Sequence, residues 1–212
     1  MALALAHSSP PDPTTADFSP AGGLPLVPEL SALLPTQVLR RGGCVGVTGQ
    51  VGRTSLLLKL LACPVAMGSW AAVIGMPALG PEAASEAGIP LDRLALVPEP
   101  GAAWLDVTAA LLDAVDIVVL NPAGTCRPGD ARRLLARARQ RHSVLVLVTF
   151  EGRWPESPDL ILETTTTQWH GLRPGHGSLR RCSITVRASG RRLNGPHRTG
   201  QLTAGYLSSV AG

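Results

Sequence analysis

Between Gly43 and Phe150 short runs of consecutive apolar residues alternate with longer stretches in which apolar residues recur every three or four positions. The short runs are "GCVGVTG" (43–49), "WAAVIG" (70–75), "RLALVPE" (93–99), "DIVVLN" (116–121) and "SVLVLVTF" (143–150), each read as a buried strand. The segments between them read as helices. "RTSLLLKLLA" from Arg53 is leucine-rich and about three turns long. "GPEAASEAG" (80–88) is a short helix stopped by Gly88, and "AWLDVTAALLDAV" (103–115) gathers Leu105, Ala109 and Leu112 on one side. "PGDARRLLARARQRH" (128–142) has Pro128 near its start and Asp130 in its first turn. Strands apolar on both faces, alternating with helices, predict an α/β fold with a mainly parallel central sheet flanked by helices.

Beyond Glu151 the pattern changes. "DLILETTTT" (159–167), a Gly/Pro/His-rich connection "WHGLRPGHG" (169–177) and "LRRCSITVRA" (179–188) read as a C-terminal antiparallel hairpin extending the sheet. Upstream, "LVPELSALLP" predicts a short helix over 28–34, ended by Pro35. Residues 1–23 are rich in Pro, Ser, Thr and Gly and have little to bury, so a disordered N-terminal segment is expected there. A domain over 24–188 and a flexible tail over 189–212 complete the expected organisation.

With 212 residues, 45% of them hydrophobic, the chain can bury one sizeable core. No apolar run reaches the roughly 18 to 20 residues that span a bilayer, and no basic residue precedes the short apolar stretch at the N-terminus. The expectation is a cytoplasmic protein without membrane contact. Cys44, Cys63, Cys126 and Cys182 form no CxxC pair, and His170 and His176 flank a turn with no further ligands nearby, so no metal site is expected. Trp104, Trp154 and Trp169 read as core or interface anchors.

Charge changes this picture. Residues 1–126 carry five basic and ten acidic side chains, net −5, whereas residues 127–212 carry fourteen and five, net +9. Arg133, Arg137 and Arg141 recur at i, i+4 and i+8 and so form one ridge, joined in the basic half by Arg180, Arg181, Arg187, Arg191 and Arg192. The plain reading is a solvated helix face. The functional reading is a candidate surface for an acidic protein partner or DNA. With 2 Phe, 4 Trp and 1 Tyr, the chain has few rings on which bases could stack, which weakens the case for a single-strand reader.

The sharpest motif opens the second helix. In the phosphate loop G-x-x-x-x-G-K-[ST], backbone N–H groups cradle phosphates, the lysine reaches the β/γ-phosphates and the hydroxyl holds Mg²⁺. Here the register runs Val47 to Thr54, with Val47 in place of the first glycine and Arg53 in place of the lysine. Gly49, Gly52, Thr54 and Ser55 keep the turn and the hydroxyls. A planar guanidinium does not fill the position of a compact ammonium. Lys59, the sole lysine, sits about 9 Å further along the helix axis. The strand expected to end in a metal-organising carboxylate ends in Asn121, and Asp116 is at its other end. Gly49, Gly52, Arg53, Thr54, Ser55 and Asn121 thus read as a vestigial nucleotide-binding loop, first a tight strand-to-helix turn and only then a weak ATP–Mg²⁺ site. No catalytic residue is assigned.

From "LRRGGCVGVTGQVGRTSLLLKLL" through "GIPLDRLALVPEPGAAWLDVTAALLDAVDIVVLNP" the chain resembles the RecA ATPase core, and "WHGLRPGHGSLRR" with the following strand is similar to the end of the ImuA′ family of small RecA-like proteins from actinobacterial mutagenesis operons. The resemblance covers about residues 24–188. It implies that Met76 stands where RecA has its water-activating glutamate and Phe150 where it has its γ-phosphate-sensing glutamine. The DNA-binding loops are cut to "NPAGTCRPGD" (121–130) and "FEGRWPESP" (150–158). By resemblance, the expected function is that of a non-catalytic accessory protein in SOS-induced, error-prone translesion synthesis. It would bind a catalytically inactive Y-family polymerase homologue (ImuB-type) and, through it, an error-prone C-family polymerase. The alternative is an ATP-dependent DNA-binding repair protein.

Overall fold

A computed structural model describes residues 23–170, 181–193 and 195–205. The elements in chain order are α1 (Pro28–Ser31), β1 (Cys44–Thr48), α2 (Arg53–Ala66), β2 (Ala71–Ile74), α3 (Pro81–Glu86), β3 (Leu94–Val97), α4 (Trp104–Ala114), β4 (Ile117–Leu120), α5 (Pro128–Arg141), β5 (Val144–Val148), β6 (Leu160–His170), β7 (Arg181–Ser189) and β8 (Arg198–Gly205). They form one eight-stranded sheet in the order β3-β2-β4-β5-β1-β6-β7-β8. The first six strands in that order run parallel, and β7 and β8 continue the sheet antiparallel.

The unbroken apolar strands of the sequence have a direct physical cause. In β4, Ile117 and Val119 join one core and Val118 and Leu120 the other; in β5, Val144, Val146 and Val148 face the first and Leu145 and Leu147 the second. Leu56, Leu57, Leu60 and Leu61 of α2 cover the first face, while Leu112 of α4 and Leu134, Leu135 and Ala138 of α5 cover the second. With a helix layer on each side, a polar residue at either parity would be buried.

Two expected boundaries differ. Helix α1 is one turn, Pro28–Ser31, rather than the span 28–34, and Leu33 and Leu34 are buried beyond its end. The tail expected over 189–212 instead contributes β8, which pairs along β7 and buries Leu202. Its sequence, "RTGQLTAG", has too few apolar residues to announce a strand, and the ladder to β7 supplies what local propensity lacks. Residues 1–22, on which nearly all of the expected disordered segment falls, and the connection 171–180 lie outside the described residues. Among the described residues no helix is long and apolar enough to cross a membrane.

Candidate functional site

The vestigial loop lies where β1 ends. Gly49 turns at φ 115° and Gly52, the residue before α2, at φ 80°. A Cβ on Gly49 would stand 1.9 Å from Thr164 Oγ1 and 2.6 Å from the Thr164 carbonyl oxygen, so only glycine lets β6 approach this closely. The irregularity in β6 between Thr164 and Thr166 lies at this contact, and Thr164 Oγ1 donates to the Thr48 carbonyl at 3.3 Å.

Arg53 opens α2 with no acidic residue in the first turn and no capping side chain, a cation on the positive end of the helix dipole. Its guanidinium folds back, and Nη1 donates to the Gly49 carbonyl at 3.2 Å. The loop is therefore bonded by its own arginine. Among the described residues, Arg53 Nε, Asn121 Oδ1 and, from β6, Thr167 Oγ1 are buried without a hydrogen-bond partner. Thr54 is exposed and Ser55 half-buried.

Asn121 follows β4, which is separated from β1 by β5, so it stands two strands, about 10 Å, from the loop strand. Its side chain is bonded the other way, toward β2: Nδ2 donates to the Gly75 carbonyl at 2.7 Å, while its backbone N–H donates to Ile74 at 3.0 Å. Gly75, at φ 74°, makes this possible, because a Cβ there would lie 2.4 Å from the Asn121 carbonyl oxygen. Asn121 thus stands two strands from the loop that carries Gly49, Gly52, Arg53, Thr54 and Ser55, with its amide bonded toward β2. An ionised carboxylate could not donate to Gly75, whereas the amide does. Gly75 was not legible as a partner, since only the parallel pairing of β2 with β4 sets it beside Asn121.

The other positions named by resemblance are occupied by packing. Phe150 is buried, and its ring would meet a Cβ on Gly46 at 2.5 Å. Met76 is half-buried against the core. Asp116 holds the opposite end of the sheet, accepting from Arg41 Nη1 at 2.7 Å and from the Trp70 N–H at 2.9 Å. Trp104 and Trp154 are buried in the core, as anchors should be.

The arginine ridge is only partly available. Arg137 binds Asp113 of α4 through two hydrogen bonds, Nε at 2.7 Å and Nη2 at 2.5 Å, and Arg141 Nε adds a third at 3.0 Å. Hydrogen bonding from Arg137, with its charge and that of Arg141, holds the Asp113 carboxyl down at about 2. Arg133 is exposed and makes no ion pair among the described residues. Arg187 pairs with Glu163 at 2.6 Å and Arg192 with Asp159 at 3.4 Å. Arg180 and the side chains of Arg181, Trp169 and His170 lie outside the described residues, as does His176.

Fold and site together define an α/β protein whose central strand feeds a phosphate-loop-like turn closed by its own side chains. The chain belongs to the family described as the MT3502 N-terminal domain, whose model matches residues 32–156, from just after α1 to the connection that follows β5. It is 40% identical over 139 residues to an uncharacterized protein of Mycobacterium tuberculosis, Rv3395c, covering 65% of this chain and 59% of that relative. The chain thus spans less than two thirds of the relative's length.

Proposed function

We propose that this protein is a non-catalytic, RecA-like adaptor of the ImuA′ type, serving damage-induced, error-prone translesion synthesis by docking a Y-family polymerase homologue and, through it, a C-family polymerase. The observation that carries the reading is the Asn121 side chain, which ties β4 to Gly75 of β2 where a nucleotide enzyme would present a metal-organising carboxylate. Arg53 supports it by bonding the loop's own Gly49 carbonyl. The mycobacterial relative is in keeping with the actinobacterial origin of that group. A single sheet with a packed core on each face and a turn bonded by its own arginine is suited to presenting surfaces rather than to turning over a substrate.

One observation favours a second, lesser capacity. Arg53 Nε and Thr167 Oγ1 keep unmet hydrogen-bonding ability beside the N-terminus of α2, which suits a weakly held anion such as the phosphates of ATP–Mg²⁺. The experiment for the principal reading is capture of the purified Y-family homologue by this protein at micromolar concentration, with and without ATP–Mg²⁺. Nucleotide-independent capture is expected. Absence of capture, or capture only with ATP, would remove the adaptor reading.

A further inference from the structure

At the end of β1 opposite to the turn, residues 34–40, the starts of β1 and β6 and the turn after β7 enclose a cavity of about 340 Å³. Its apolar lining includes Leu34, Leu39, Leu160 and Leu193, all buried members of the main core. Arg40, Arg191 and Arg192 also line it, and all three are exposed. Asp159 is the one acid among the lining residues, and both of its oxygens are engaged: Oδ2 accepts the Cys44 N–H at 3.0 Å and Oδ1 faces Arg192 Nε at 3.4 Å. Arg191 donates to the Ser157 carbonyl at 3.0 Å, a neutral acceptor that leaves its charge uncompensated. The Arg40 guanidinium has no partner among the described residues.

Among the described residues, therefore, two cations without a carboxylate partner stand over an apolar floor. A wholly apolar occupant would desolvate them without return, and a wholly acidic one would leave the floor wet. The complement is a group that is apolar at its centre and anionic at its edge. The volume suits one or two large side chains, not the face of a folded domain. We infer that the pocket docks a segment of a partner protein in which one or two large apolar side chains stand beside carboxylates. The choice of a protein as occupant rests on the adaptor reading, and the site lies at the other end of β1 from the loop on which that reading is built.

The test uses the full chain and fluorescein-labelled dodecapeptides carrying a central Leu-Phe pair flanked by aspartates, followed by anisotropy. Saturable binding with Kd of about 10–100 μM is expected. Combining Arg40→Glu with Arg191→Glu should weaken it at least about tenfold, as should replacing the Leu-Phe pair by Ser-Ser. Both arginines are exposed, and a thermal melt verifies that the variant is folded. Arg132→Glu with Arg133→Glu makes the same change in net charge near the start of α5, away from the pocket, and should alter binding by less than about twofold. The inference is overturned if no peptide binds, if the Ser-Ser peptide binds equally well, if the two double variants weaken binding alike, or if dodecanoate occupies the pocket while the peptides do not. Peptide binding without capture of the polymerase homologue would uphold the pocket and remove the mutagenesis role. Capture that survives Arg40→Glu/Arg191→Glu, with no peptide binding, would do the reverse.

Discussion

At its C-terminal end β1 runs into a turn in which Arg53 Nη1 bonds the Gly49 carbonyl and, two strands away, Asn121 Nδ2 bonds that of Gly75. At its N-terminal end the same strand borders an apolar cavity with the exposed side chain of Arg40 in its lining. The end that resembles a catalytic site by sequence is the one where Arg53 and Asn121 each already bond backbone, and the end without a motif is the one that opens on a cavity. Sequence motifs report which groups are present; bonding in the fold decides which of them can still meet a ligand.

The comparison can be broken most forcibly at the closed end. Gly75→Ala would set a methyl group 2.4 Å from the Asn121 carbonyl oxygen at φ 74° and should cost about 3 kcal/mol. Gly88, at φ 82° with nothing within 4 Å, carries only the backbone strain, and Gly88→Ala should cost about 1 kcal/mol. Urea unfolding of the two variants measures the difference, and equal losses would mean that the β2–β4 contact contributes little.

Asn121→Asp is next in size. It removes the donor to Gly75 and sets a carboxylate against a carbonyl, which should destabilise the fold by about 2 kcal/mol at neutral pH. Such a buried acid has a folded pKa above its unfolded one, so the deficit should shrink as pH falls and the carboxyl gains a proton able to donate. A working nucleotide site would respond in the opposite sense, gaining Mg²⁺-dependent binding from the restored carboxylate.

A smaller effect is expected at Asp113. Its folded pKa, about 2, lies below the ordinary 3.8, so its contribution is present above the unfolded pKa and is lost as pH falls toward 2. Acid unfolding of the wild type and Asp113→Asn should therefore diverge above about pH 4 and converge near pH 2. Smallest of all is a difference in thiol chemistry. Burial, aided by the Asp159 charge, pushes Cys44 up to about 12, and burial, aided by Asp130, pushes Cys126 up to about 11. At pH 8 a thiol reagent should modify the half-buried Cys63 and reach Cys44 and Cys126 only after unfolding, with absorbance as the readout.

Much of the architecture was legible because burial on both faces leaves a signature in consecutive residues. The five parallel strands from β1 to β5 and helices α2 to α5 fall where the periodicity puts them, and β6 and β7 form the antiparallel extension expected of the C-terminal region. Strand β8 was not legible, since one buried leucine among Gly, Thr and Gln needs the β7 ladder to define it. The loop substitutions at Arg53 and Asn121 were legible as missing charges. Their replacement bonds were not, because Gly75 and Asn121 are 46 positions apart in sequence. The arginine ridge followed from helical spacing, but Asp113, which engages Arg137 and Arg141, comes from a different helix. The pocket is assembled from four separate segments, and no local pattern announces it.

The measurement that tests the closed end most directly is a calorimetric titration of the full chain with ATP in the presence of Mg²⁺, at concentrations that resolve a Kd near 100 μM, about −5.5 kcal/mol. The bonding of Arg53 to Gly49 and of Asn121 to Gly75 predicts no saturable, Mg²⁺-dependent heat at that affinity, an anion at the start of α2 being held more weakly still. A saturable, Mg²⁺-dependent isotherm that Arg53→Ala abolishes would contradict it and restore a nucleotide-controlled protein.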